Sequence, residues 1–231
     1  MIRFLLWDVD GTLLDFQAAE RAAIKSLFKE FSLGDCSDAM VGRYSQINDG
    51  FWRRLERNEI TKQQVLIGRF EQFFLEIGVP QSLAAEFNQR YQLRLGDTIV
   101  YRDDSINVIK GLHGKVLQYV VSNGTIAAQS KKLRVSGLGE WMDGVFLSEA
   151  IGSEKPNKAF FDAVFDVLKP SDLSDVMIVG DSLTSDILGG VNAGIRTCWY
   201  NPARLPASEN LRIDCTITDL HEIIPLLETM Q

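Results

Sequence analysis

Apolar and polar positions follow two rhythms in this chain. The first is a set of short continuous apolar runs. Phe4-Leu5-Leu6-Trp7 ends on Asp8, Leu117-Gln118-Tyr119-Val120-Val121 ends on Ser122-Asn123-Gly124, and Val176-Met177-Ile178-Val179 ends on Gly180-Asp181. Runs of this length without alternation fit strands buried on both faces of a parallel sheet. Shorter runs at 144–147, 197–200 and 215–217 read the same way. The second rhythm has helical spacing and fills the intervals at 104–113, 126–135 and 184–193 and from residue 220 on. Another such segment follows Lys155-Pro156-Asn157, with Phe160, Phe161, Val164, Phe165 and Leu168 on one side. Strands alternating with helices predict an α/β fold with a doubly wound parallel sheet.

Residues 16–96 break the alternation, because only helical spacing occurs there. Ala18, Ala22, Leu27 and Phe31 predict one helix. Met40, Tyr44, Ile47, Phe51, Trp52 and Leu55 predict one or two more over 38–57. Thr61 with Gln64 three residues later is a capping box. It opens a segment carrying Val65, Phe70, Phe73, Phe74 and Ile77, which Gly78-Val79-Pro80 stops. A last helix runs from Ser82 through Phe87, Tyr91 and Leu95. The expected organisation is therefore an α/β core of 1–15 and 97–231, with a helical insertion over 16–96. Inserted just after the first strand, it is expected to hang over the sheet's carboxyl edge as a lid.

Composition narrows the partners. The net charge is −7 over 231 residues, with Lys and Arg scattered. This argues against a nucleic-acid polymer as partner, since that needs a basic face. A small anionic substrate stays open, because a local site can differ in sign from the whole. Three cysteines without a C-x-x-C and two histidines give no basis for a disulfide framework or a zinc site. No apolar run reaches membrane-spanning length, so no membrane partner and a cytoplasmic location are expected. A monomer and a homodimer both fit this composition.

The chemistry gathers where the strands end. Ligands in open parallel sheets bind at the carboxyl ends of the strands. That edge would collect Asp8 and Asp10, Ser122 and Asn123, Lys155, and Asp181 with Asp186. Two carboxylates as close as Asp8 and Asp10 repel, and a divalent cation would relieve them. Oxygen-only ligands favour magnesium, and a merely solvated pair is the alternative. The set suits phosphoryl transfer. Asp8 can attack phosphorus as a carboxylate nucleophile, and Asp10 can protonate the leaving oxygen and then activate water. Ser122, Asn123 and backbone N–H groups can hold phosphate oxygens, and Lys155 adds a positive charge. Asp181 and Asp186 can complete a magnesium site. Four residues also have plainer readings: Lys155 as a solvated lysine before a helix, Ser122 as a turn residue, Asp186 as a complement to a helix dipole, and Thr12 as a satisfier of local backbone groups.

These residues stand in a familiar order. Asp8-Val9-Asp10-Gly11-Thr12-Leu13 resembles the first motif of the haloacid dehalogenase-like hydrolases. Ser122-Asn123-Gly124 resembles the second, Lys155-Pro156 the third, and Gly180-Asp181-Ser182-Leu183-Thr184-Ser185-Asp186 the fourth. The resemblance covers almost the whole chain. It implies a Rossmann-like sheet, a helical cap formed by the insertion, and Mg2+ as cofactor. It implies Asp8 as nucleophile and Asp10 as general acid/base and as a magnesium ligand through its backbone carbonyl. Asp181 would be a metal ligand, with Asp186 either a ligand or just behind one.

Gly68-Arg69-Phe70-Glu71, Lys155-Pro156-Asn157-Lys158 with Phe161-Asp162, and the block from Ser185 to Trp199 resemble the pyrimidine 5′-nucleotidase branch. That branch implies a phosphatase acting on pyrimidine nucleoside monophosphates. A sugar-phosphate or phosphoglycolate phosphatase, a phosphomutase and a non-catalytic phospholigand-binding module are the alternatives. Within the insertion, Arg69 suits a base or sugar contact or a solvated position, and Asn48 a base edge or a helix cap. Trp52, Phe70, Phe73 and Phe74 suit base stacking or the bundle core.

Overall fold

The computed structural model describes residues 1–207 and 210–230. It contains two compact units, one formed by Met1–Phe16 with Ile99–Gln231 and the other by Gln17–Thr98.

The first unit is built on a six-stranded parallel sheet. Its strands are β1 (Phe4–Trp7), β2 (Leu117–Ser122), β3 (Gly144–Leu147), β4 (Val176–Gly180), β5 (Arg196–Tyr200) and β6 (Cys215–Ile217), in spatial order β3-β2-β1-β4-β5-β6. The order reverses at β1, which pairs with β2 on one side and β4 on the other, so this is a doubly wound sheet. Trp7 lies level with Val120 and Val179.

Side chains alternate along each strand, and both faces of the sheet are covered. Leu5, Trp7, Met177 and Val179 join one apolar layer, and Phe4, Leu6, Val176 and Ile178 the other. This explains why β1 and β4 are apolar throughout. The helices, in chain order, are α1 (Phe16–Glu30), α2 (Asp38–Glu56), α3 (Lys62–Ile77), α4 (Ala84–Arg94), α5 (Ser105–Leu112), α6 (Ile126–Ser136), α7 (Ser148–Ile151), α8 (Lys158–Leu168), α9 (Leu188–Ala193) and α10 (Ile223–Thr229). Residues of α5, α6 and α10 fill the first layer, and residues of α8 and α9 fill the second.

Two expected helices differ in form. The segment over 184–193 starts as a π-helical turn, Leu183–Ile187, before α9. The segment from Ser82 starts as a 3-10 turn, Gln81–Leu83, before α4. In the first case the wider turn accompanies a buried Asp186 whose Oδ2 accepts the Ser182 N–H at 3.0 Å. Among the described residues no helix is long and apolar enough to cross a membrane.

The second unit is a helical bundle. The span 38–57, read as one or two helices, is the single helix α2. Thr61 and Gln64 form both bonds of the capping box at the start of α3. Phe70, Phe73 and Phe74 are fully buried with Phe28, Tyr44, Phe87 and Tyr91, so these rings are bundle core. The bundle also encloses a polar cluster. Glu20 is buried and accepts from Ser45 Oγ, from Asn48 Nδ2 at 3.2 Å and from Tyr91 Oη at 3.4 Å. Burial pushes the Glu20 carboxyl up to about 7, against the Ser45 and Tyr91 hydroxyls and the Arg69 charge.

A carboxyl whose folded value is raised contributes stability that is complete below its unfolded value and is lost as pH rises through the folded one. The wild type is therefore expected to lose about 3 kcal/mol relative to Glu20→Gln between pH 4.5 and 8, at about 1.4 kcal/mol for each pH unit separating the unfolded and folded values. Urea unfolding of the two proteins across that range checks this, and parallel curves count against it.

Candidate active site

Asp8 follows β1 directly, and its N–H still donates to Val179 O at 3.0 Å. The chain then turns at Gly11, whose φ is +101°. A Cβ there would lie 2.5 Å from Asp181 Oδ2, so position 11 needs glycine for its backbone angle and for space. The turn brings Thr12 back beneath the strand tips, fully buried. Its hydroxyl lies 3.3 Å from Asp8 Oδ2 and 3.1 Å from Asp181 Oδ1, and it accepts the Asp181 N–H at 3.0 Å. Thr12 thus joins the first and fourth motifs, a larger part than satisfying its local backbone.

Lys155 is 1% exposed and spends all three ammonium donors. They reach Asp8 Oδ1 at 2.8 Å, Asp186 Oδ1 at 2.6 Å and Val121 O at 2.8 Å. Burial acts to lower its pKa, but the Asp186 and Asp8 charges outweigh burial and hold it above the ordinary lysine value. Asn123 fixes the loop that carries it. The Asn123 Nδ2 donates to Lys155 O at 2.9 Å, and the Lys155 N–H donates to Asn123 Oδ1 at 2.8 Å. The amide of Asn123, read as a phosphate contact, is therefore engaged with the main chain of Lys155. Ser122 is buried at the end of β2, with Oγ accepting the Gly124 N–H at 3.0 Å.

Carboxylate oxygens of Asp8, Asp181 and Asp186 lie within 4.8 Å of one another. Burial raises the Asp8 carboxyl well above its ordinary value, with Lys155 opposing. Burial and the Asp186 charge push the Asp181 carboxyl up to about 7. The Trp199 Nε1–H donates to Asp181 O at 2.9 Å and braces that loop from β5. Three carboxylates facing one ammonium leave negative charge in excess. This all-oxygen donor set fits a hard divalent cation of the magnesium type.

The Asp10 carboxylate turns away from this cluster. Its Oδ2 accepts from Gln129 Nε2 at 2.6 Å, and its Oδ1 pairs with Lys132 Nζ. Neither partner stands out in the sequence. Their only signal there is a polar pair three residues apart within the buried stripe of α6, beside Ala128 and Leu133.

The candidates in the helical unit lie apart from these residues in the chain and in kind. Arg69 is 2% exposed, with Nη1 on Asn48 Oδ1 at 2.7 Å and Nη2 on Asn88 Oδ1 at 3.0 Å. Asn48 is buried in the same cluster, and Trp52 is half-buried on α2. Arg69 is thus an interior residue, not a solvated one, and the bonds of Asn48 run between helices instead of capping one.

Known proteins place the chain in context. The model of the haloacid dehalogenase-like hydrolases matches residues 2–194. The HAD-hydrolase YfnB of Bacillus subtilis is 36% identical over 225 residues, 97% of this chain and 95% of YfnB. Its magnesium-bound crystal structure aligns with a TM-score of 0.90 at 35% identity over 98% of each chain. The pyrimidine 5′-nucleotidase PynA of Streptococcus pneumoniae is 36% identical over 205 residues, 88% of this chain and 85% of PynA. The pyrimidine 5′-nucleotidase YjjG of Escherichia coli is 28% identical over 224 residues, 97% of each chain.

Proposed function

The chain belongs to the haloacid dehalogenase-like hydrolases, and within that family we propose that it is a magnesium-dependent phosphomonoesterase that works through a phosphorylated Asp8 and takes pyrimidine nucleoside 5′-monophosphates. The observation that supports the reaction best is the setting of Asp8. It stands at the tip of the central strand, held on one oxygen by Lys155 and on the other by Thr12, beside Asp181 and Asp186. The substrate rests on the likeness to PynA and YjjG.

In the first step a carboxylate oxygen of Asp8 attacks phosphorus. The bond from phosphorus to the ester oxygen breaks, and Asp10 gives that oxygen a proton. In the second step water attacks the phosphorus of the acyl phosphate, Asp10 takes the water's proton, and phosphate leaves with Asp8 restored. Lys155 keeps Asp8 oriented and offsets charge on the phosphoryl oxygens, while the Ser122 hydroxyl holds one of them. Asp8, Asp181 and Asp186, with the Asp10 main-chain carbonyl, would hold magnesium, which when bound offsets the charge that phosphate brings to an already anionic site.

The test is phosphate release from dUMP, UMP, dTMP, sugar phosphates and phosphoglycolate, with magnesium and with excess chelator. Release strongest on the pyrimidine nucleotides and lost on chelation is expected. Preference for a sugar phosphate or phosphoglycolate overturns the substrate, and turnover that survives chelation overturns the metal. An isomeric phosphosugar formed without free phosphate would make the protein a mutase.

A further inference from the structure

Asp10 is held by two buried donors from α6. Gln129 is 1% exposed and Lys132 2% exposed, yet both project from α6 to the one carboxylate. Each takes a different oxygen, so the carboxylate is held against rotation about its own axis. The Asp10 side chain keeps 24% of its surface exposed, so a ligand can reach it. A carboxylate offers about four lone-pair sites, and the two donors leave room on it for a proton.

Four further features surround this clamp. Thr125 caps α6, its Oγ1 accepting the Ala128 N–H at 3.2 Å, which fixes the start of the helix and so the reach of both side chains. A Cβ at Gly124 would collide with the Gln129 amide, so the glycine of the second motif makes room for Gln129. Among the described residues the buried Gln129 Oε1 has no hydrogen-bond partner, while the Nε2 of the same amide is on Asp10. Lys132 Nζ is also held over the Phe16 ring, 5.2 Å from its centroid.

We propose that Gln129 and Lys132 are positioning residues that hold the Asp10 carboxylate in the orientation from which it exchanges a proton with the departing ester oxygen. The inference rests on the phosphatase reading above. It makes a particular demand: the pair matters only as far as Asp10 matters. In the step that forms the acyl phosphate, an ester whose leaving group needs no proton is insensitive to Asp10 and so to the clamp, whereas the hydrolysis that follows is common to all esters. An alkyl phosphate, which expels a poor leaving group, is sensitive to both.

The experiment compares p-nitrophenyl phosphate with the alkyl phosphate that the wild type turns over fastest. Lys132→Met is expected to lower kcat/KM, which reports the steps up to departure of the leaving group, by about 10²-fold on the alkyl ester, in the range of general acid catalysis, and to change kcat/KM on the aryl ester little. Lys132→Arg restores most of the loss. In an Asp10→Asn background, Lys132→Met adds little further loss, because the two act as a unit. Gln129→Leu is read by the same comparisons and serves if Lys132→Met does not fold. Equal losses on the two esters, or losses that multiply in the double variant, overturn the inference and leave the phosphatase reading standing. Absence of phosphate release from every ester by the wild type overturns both.

Discussion

Asp8→Asn is expected to abolish turnover, with kcat down by at least about 10⁴-fold, the scale seen when a covalent nucleophile is removed. An amide oxygen is too weak a nucleophile to replace the carboxylate. The fold has no comparable reason to fail. Asn is nearly isosteric with Asp, and its Oδ1 can still accept from Lys155 Nζ, which stays paired with Asp186 and Val121 O. The substitution also removes one of three crowded carboxylates. Without magnesium, the thermal midpoint of the variant should therefore be no lower than that of the wild type. The rise in midpoint on adding magnesium should shrink, because a ligand bound only by the folded state stabilises it less when it binds more weakly. Phosphate release and thermal melts with and without magnesium check both parts. Retained turnover would overturn Asp8 as nucleophile.

Lys155→Met should be the most destabilising single change in the site. Lys155 is an ammonium buried to 1% exposure and shared by Asp8 and Asp186, of which Asp186 is itself almost fully buried. Removing one partner of a buried ion pair leaves the other charge unpaired and costs about 3–5 kcal/mol. Methionine fills the volume, so little of the loss would come from a cavity. Magnesium should recover part of it by supplying positive charge to the same carboxylates. Lys155→Arg should not rescue, because a planar guanidinium cannot reproduce three donors radiating from one nitrogen. Urea midpoints with and without magnesium measure the effect, and a loss below about 1 kcal/mol would show that the pair is not held as tightly as its burial implies.

The sheet was legible because β1 and β4 are buried on both faces, and a residue inside a parallel sheet has little choice but to be apolar. The motif carboxylates were legible because they interrupt those runs. Less visible were residues whose role depends on a partner far along the chain. Gln129 and Lys132 look like ordinary polar members of a helix until the end of β1 is laid beside α6. The amide of Asn123 looks free until the Lys155 loop returns to it. Arg69 shows the same limit in the helical unit. Its charge left a solvated position open, but it lies inside with Phe70 and Phe73. Local spacing gives the face of a helix, whereas satisfaction of a buried polar group is settled by atoms dozens of residues away.

The place of β1 in the sheet has a consequence for the order in which the molecule assembles during translation. Its partners are residues 117–120 and 176–179, so none of its pairing exists when it leaves the ribosome. At about 5–20 residues per second, the first neighbour follows after about 5–20 seconds. The helical bundle of Gln17–Thr98 is synthesised whole within that interval and makes its core from its own residues. The nucleophile's strand is therefore synthesised well ahead of both its neighbours and paired late. Phe4-Leu5-Leu6-Trp7, buried throughout once the sheet has formed, is meanwhile an apolar stretch that a holdase chaperone has time to bind.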